Sequence, residues 1–88
     1  MIANEVKEKV IKNYENHSEK VIGLTELPMG IIAKIATFDN EIRYQALTSY
    51  GKAIGMGDLF PTFEQATLHL MYRVDRNLIE AAERVLSV

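Results

Sequence analysis

The chain has no cysteine and no tryptophan, and only two prolines and five glycines in 88 residues. Without cysteine there are no disulfides, no thiolate zinc sites and no cysteine nucleophile. A reducing compartment suits such a chain, and a cytoplasmic location is the expectation. No apolar run approaches the roughly 20 residues of a membrane span. The start, Met1-Ile2-Ala3-Asn4-Glu5, meets charge too early for a signal peptide. With no tag in view, the chain is expected to be a complete small protein. Charge of one sign is also scarce: ten Lys and Arg stand against twelve Asp and Glu. That balance fits neither a polyanion mimic nor a strongly basic nucleic-acid binder. Repeats, low-complexity tracts and linkers are missing, so residues 1–88 are expected to form one domain.

What the chain has is a strong helical pattern at its C-terminal end, from Thr62 to Val88. Thr62 is a natural N-cap, with Gln65 three residues on to complete a capping box and Pro61 just before it. No glycine or proline follows. Phe63, Thr67, Leu70, Val74, Leu78, Ala81 and Val85 form one stripe, and Leu68, Met71, Ile79, Ala82 and Leu86 a second. Together they cover about half the circumference, more than the roughly 100° of an ordinary surface helix. Two readings follow. The helix is either sandwiched between a sheet and another helix of its own chain, or part of the second stripe meets another protein, foremost a second copy. Asp75 interrupts that stripe. It is either a rim residue or the partner of a basic group of the first helix or of a partner subunit, the pairing across an interface being a register device.

Upstream, Asn4 to Asn16 reads as a first helix with Val6, Val10 and Tyr14 on one side. Its charged residues, with Glu5–Lys9 and Glu8–Lys12 pairs, form a solvated face. His17 suits the negative end of that helix. Strands are expected at Lys20–Leu27, Ile31–Phe38 and Glu41–Thr48, with a short fourth at Lys52–Met56. Leu27-Pro28-Met29-Gly30 is a tight turn, and Asp39-Asn40 fits a two-residue hairpin loop. The second loop pairs Phe38 with Glu41, Ile35 with Tyr44 and Ala33 with Ala46. One face then gathers Ile31, Ala33, Ile35, Ile42, Tyr44 and Ala46, joined by Ile22 and Leu24, and is expected to pack on the long helix. The other face, with Lys34, Arg43 and Gln45 beside Ile32, Ala36, Phe38 and Leu47, is half polar and is left to the first helix or to a partner. The fold class is therefore α+β: an N-terminal helix, a three- to four-stranded antiparallel meander, and a long C-terminal helix on the sheet.

Motifs that carry chemistry are scarce. Gly51, Gly55 and Gly57 lack phosphate-loop spacing and read as turn glycines. His17 and His69 have no second ligand at metal spacing, so neither metal nor cofactor is expected, and His69 reads as a solvated residue. No nucleophile is framed by a hydrolase elbow, and enzyme activity is not expected. The chain reads as a non-catalytic protein-binding module that forms a homodimer. It would act on a larger partner as inhibitor or adaptor, at a size common among phage- and mobile-element-encoded inhibitors. The candidate interface is Met71, Tyr72, Asp75, Ile79, Ala82 and Leu86, with Phe38 and Leu47 second. The alternative is a small nucleic-acid-binding protein using Lys34, Arg43 and Lys52 with Phe38 and Tyr50, extended by Arg73 and Arg76. Glu41, Glu80 and Glu83 dilute that surface.

Overall fold

The computed structural model describes residues 2–55 and 57–73. Four elements come first: helix α1 (Asn4–Glu15) and strands β1 (Lys20–Leu27), β2 (Gly30–Ala36) and β3 (Ile42–Leu47). Residues 63–73 then form a second helix, α2. The three strands make one antiparallel sheet in the order β1-β2-β3. The expected length of the C-terminal helix beyond residue 73 lies outside the described residues.

Local chemistry explains where α1 stops. Ser18 takes a left-handed backbone, φ 60°. Its N–H donates to the Glu15 carbonyl at 3.1 Å, and the Glu19 N–H donates to the Tyr14 carbonyl at 3.0 Å. This is a Schellman motif, which satisfies carbonyls that the helix end would otherwise orphan. The His17 ring meets the Asn13 carbonyl at 2.9 Å through Nδ1, as its place at the negative helix end implies. At the start of α2 the Thr62 hydroxyl accepts from the Gln65 N–H at 3.2 Å, the expected N-cap.

The β1–β2 turn is the two-residue loop foreseen, pairing Leu27 with Gly30 and Leu24 with Ala33. The ladder then shifts between Val21 and Gly23, so Val21, not Ile22, lies opposite Ile35. Ile22 is the extra residue of a β-bulge and is exposed. The bulge and the charges of Lys20 and Glu26 are devices that discourage pairing at the open edge of β1.

The β2–β3 connection differs from expectation, and the difference reorganises the sheet. Asn40 sits at φ 65°. Its N–H donates to the Thr37 carbonyl at 3.0 Å, and the Thr37 N–H donates to the Glu41 carbonyl at 2.9 Å. The Thr37 hydroxyl also accepts from the Glu41 N–H at 3.2 Å and bonds the Asp39 carboxylate. The loop therefore spends three residues, 38–40, on a turn closed by a left-handed residue, rather than two. Pairing moves by one: Ile35 faces Arg43, Lys34 faces Tyr44, Ala33 faces Gln45, Ile32 faces Ala46 and Ile31 faces Leu47. A one-residue slip changes the face of every β3 side chain relative to β2.

Two cores result, one on each side of the sheet. Val10 and Tyr14 of α1 bury against Ile31, Ala33, Ile35 and Leu47, with Ile2, Val6, Val21 and Leu24 packed around them. Ala66 and Leu70 of α2 bury against Ile32 and Ala46, flanked by Leu27, Met29, Tyr44, Ile54, Phe60 and Phe63. The face bearing Ile31, Ala33 and Ile35 thus packs on α1, not on the C-terminal helix, and Tyr44 and Ala46 belong to the opposite side. Strand β2 is buried on both faces, as its nearly unbroken apolar run allows.

No fourth strand forms at 52–56 among the described residues. Instead, isolated bridges Leu47↔Ala53 and Tyr44↔Phe60 hold the 52–60 segment along the outer edge of β3. The Phe60 N–H donates to the Tyr44 carbonyl at 2.7 Å and the Tyr44 N–H donates back at 2.8 Å. Positive φ at Gly51, Gly55 and Gly57 accounts for the irregular path, the turn role assigned to them from sequence.

Candidate functional site

The outward side of α2 is the first candidate surface. Eight residues from Phe63 to Leu70 span about two helical turns, and Ala66 and Leu70 point into the core. Leu68 and Tyr72 fall on the far side of the helix, with Met71 at its flank. They are 64%, 59% and 42% exposed. Three neighbouring large apolar side chains on one short stretch form an exposed apolar patch. The α1 outward face, by comparison, is charged, with Ile11 as its single half-exposed aliphatic residue.

The remaining interface residues divide. Phe38 is exposed, in the β2–β3 loop. Leu47 is 2% exposed and belongs to the α1 core, so it offers no surface. The shifted register turned it inward. Asp75, Ile79, Ala82 and Leu86 lie outside the described residues. Leu68, absent from the interface expected from sequence, is the most exposed member of the patch. Its signal was its place at the head of the second apolar stripe.

The basic sheet face expected from sequence does not assemble. Because Ile35 pairs with Arg43 and Lys34 with Tyr44, Lys34 and Arg43 lie on opposite faces. Arg43 is also ion-paired with Glu41. Arg76 lies outside the described residues. Lys52 and Arg73, however, come to one place. Both line an open depression of about 420 Å³ with Lys9, Met29, Thr48, Ser49, Tyr50 and Ile54. Lys9 was read from sequence as part of a solvated helix face, and nothing in its local pattern marked it as the neighbour of residues 52 and 73.

Beside Gly55 lies a polar cluster that the sequence did not announce. His69 is half-buried, not solvated as expected, because its ring packs on Phe60 with centroids 5.0 Å apart. His69 Nε2 and Arg73 Nε are both buried without a hydrogen-bond partner among the described residues. Gly55 makes room for them: a Cβ there would stand 3.1 Å from an Arg73 terminal nitrogen and 3.5 Å from His69 Nε2, at φ 69°.

A second buried polar feature sits on the α1 side. The Tyr14 hydroxyl donates to Gln45 Oε1, and Gln45 is 6% exposed although it was placed from sequence on a polar face. A tyrosine within an apolar helix stripe needs such a partner for its hydroxyl, which is the signal that was there to read. Burial, and secondarily the charge of Glu19, push the Tyr14 hydroxyl well above its ordinary value of 10.0. A neutral phenol held this way is a structural anchor and no acid–base group near neutrality.

Among the described residues, no group of three or more His, Asp or Glu side chains is placed to hold a metal ion. No described helix is long and apolar enough to cross a membrane. No protein-family model, curated protein or solved structure matches this chain.

Proposed function

We propose that this chain is a non-catalytic protein-binding module that pairs with a second copy of itself through the outward side of α2. The carrying observation is the exposure of Leu68, Met71 and Tyr72 on a helix whose other side already closes a core. Burying that patch removes apolar surface from water at roughly 25 cal/mol per Å². A second copy is the occupant that the sequence favours. Leu68, Tyr72, Asp75, Ile79, Ala82 and Leu86 recur at alternating spacings of four and three residues. That is the spacing of a two-helix seam, and a self-complementary stripe makes a closed, two-fold interface. Asp75 interrupts the apolar spacing and would fix the register of such a seam. A dimer formed this way leaves the loops free to engage a larger partner, as an inhibitor or adaptor does.

The test is the size of the chain in solution, with Ile79→Asp as the companion variant. The wild-type chain is expected to dimerise with little dependence on salt, and Ile79→Asp to yield a folded monomer. A variant that unfolds instead places Ile79 in the chain's own core, and then Leu68→Glu decides between dimer and monomer.

A further inference from the structure

The depression between α1, the 48–52 turn and α2 is cationic in a chain whose formal net charge is −2. Lys9, Lys52 and Arg73 line it from three separate parts of the fold, and among the described residues no carboxylate lines it. A second depression, of about 460 Å³, adjoins it through the shared Lys9 and Lys52 and adds Lys12, Asn13 and Asn16, again with no Asp or Glu among the described residues. The convergence is built in. Gly51, at φ 85°, lies against Val6 and Val10 so closely that a Cβ would come within 2.8 Å of Val10. That contact sets the 48–52 turn on α1 beside Lys9. The turn is itself fixed: the Lys52 N–H donates to the Thr48 hydroxyl at 3.1 Å, and the Thr48 N–H donates to the Lys52 carbonyl at 2.8 Å.

Like charges brought to one depression with no carboxylate among its described lining residues repel, and a ligand of opposite charge would relieve that repulsion. Arg73 adds an independent sign. Its Nε is buried and without a hydrogen-bond partner among the described residues. The Arg43–Glu41 ion pair involves none of the three cations. We propose that this depression binds a phosphate-class oxyanion, held by the Lys9 and Lys52 ammonium groups and the Arg73 guanidinium. A guanidinium fork matches two oxygens of such an anion, and the lysines add point charge. Thr48 and Ser49 line the same depression, and the exposed ring of Tyr50 offers a flat surface to whatever carries the phosphate. The site does not depend on the dimer proposed above, because Leu68 and Met71 are not among the residues that line it.

The experiment is a titration of the full chain, read by amide chemical shifts, with inorganic phosphate and with adenosine monophosphate against matched sodium chloride. Saturable shifts centred on residues 48–52 and on Lys9 and Arg73 are expected. Lys52→Gln and Arg73→Gln should each weaken binding by about tenfold, the loss of one charge-assisted hydrogen bond. Lys34→Gln should leave it unchanged. Tighter binding of the nucleotide that Tyr50→Ala abolishes identifies a nucleotide as the source of the phosphate, and equal affinities identify the phosphate group alone. Either supports the site. Shifts that do not saturate, that spread evenly over the other lysines, or that persist undiminished in folded Lys52→Gln would overturn it. Lys52 is exposed, so its variant keeps the test informative if Arg73→Gln does not fold.

Discussion

Helices α1 and α2 do the same job on opposite faces of one sheet, yet only α1 is finished as a surface. Each buries two side chains of its inward stripe, Val10 with Tyr14 and Ala66 with Leu70. Outside, α1 presents Glu5, Lys7, Glu8, Lys9 and Lys12 around one apolar residue, Ile11, whereas α2 presents Leu68, Met71 and Tyr72 beside Glu64 and Gln65. A domain this small gains its stability from both inner faces. What the second helix carries on its outer side is surplus to that need, and the surplus supports the interface reading.

The comparison breaks most readily at its inner faces. Leu70→Ala removes a fully buried side chain, and about 3 kcal/mol of stability should go with it in urea unfolding. Val10→Ala, a smaller deletion on the other face, should cost about 2 kcal/mol. If Leu70→Ala costs less than about 1 kcal/mol, α2 is not an integral layer.

The polar anchor comes next. Tyr14→Phe leaves Gln45 Oε1 buried without its donor, and about 1–2 kcal/mol should be lost. The same variant has a pH signature. Tyr14 titrates higher in the folded chain than its unfolded value of 10.0, so the folded state keeps a proton that the unfolded state releases. Its contribution is complete below that value and is lost as pH rises above it. Stability of the wild type should therefore fall faster above pH 10 than that of Tyr14→Phe, measured by thermal unfolding across an alkaline series.

Smaller effects sharpen the helix ends. Thr62→Ala removes the α2 cap and should cost about 1 kcal/mol. Ser18→Gly relieves a left-handed serine at the α1 stop and should gain about 0.5 kcal/mol, with the gain read as a raised urea midpoint. Least of all, Leu68→Glu should leave monomer stability within about 0.5 kcal/mol.

Most of the fold was legible because its signals are local. The spacing of Val6, Val10 and Tyr14, the cap at Thr62 and the Pro28-Met29 turn each act over a few residues, and each was placed from sequence. Which helix covers which face was not legible. It hinges on whether the β2–β3 loop takes two residues or three, and Asp39-Asn40 is compatible with both. Thr37, whose hydroxyl bonds the Asp39 carboxylate and accepts from the Glu41 N–H across the loop, was the residue that decided it. The same slip placed Leu47 inside and separated Lys34 from Arg43. At the candidate site, Lys52 and Arg73 were named as basic residues, but Lys9 joins them through tertiary packing around Gly51, which no spacing along the chain encodes. The bulge at Ile22 was likewise hidden, since alternation at Ile22 and Leu24 reads as an unbroken strand.

The central claim is that the outer side of α2 is an interface between copies of this chain, and sedimentation velocity over a wide concentration range at low and high salt tests it most directly. The account requires a wild-type dimer that persists at high salt and a Leu68→Glu, Met71→Glu double variant that is monomeric with an unchanged unfolding midpoint extrapolated to the monomer. A wild-type chain that sediments as a monomer at every concentration would contradict it.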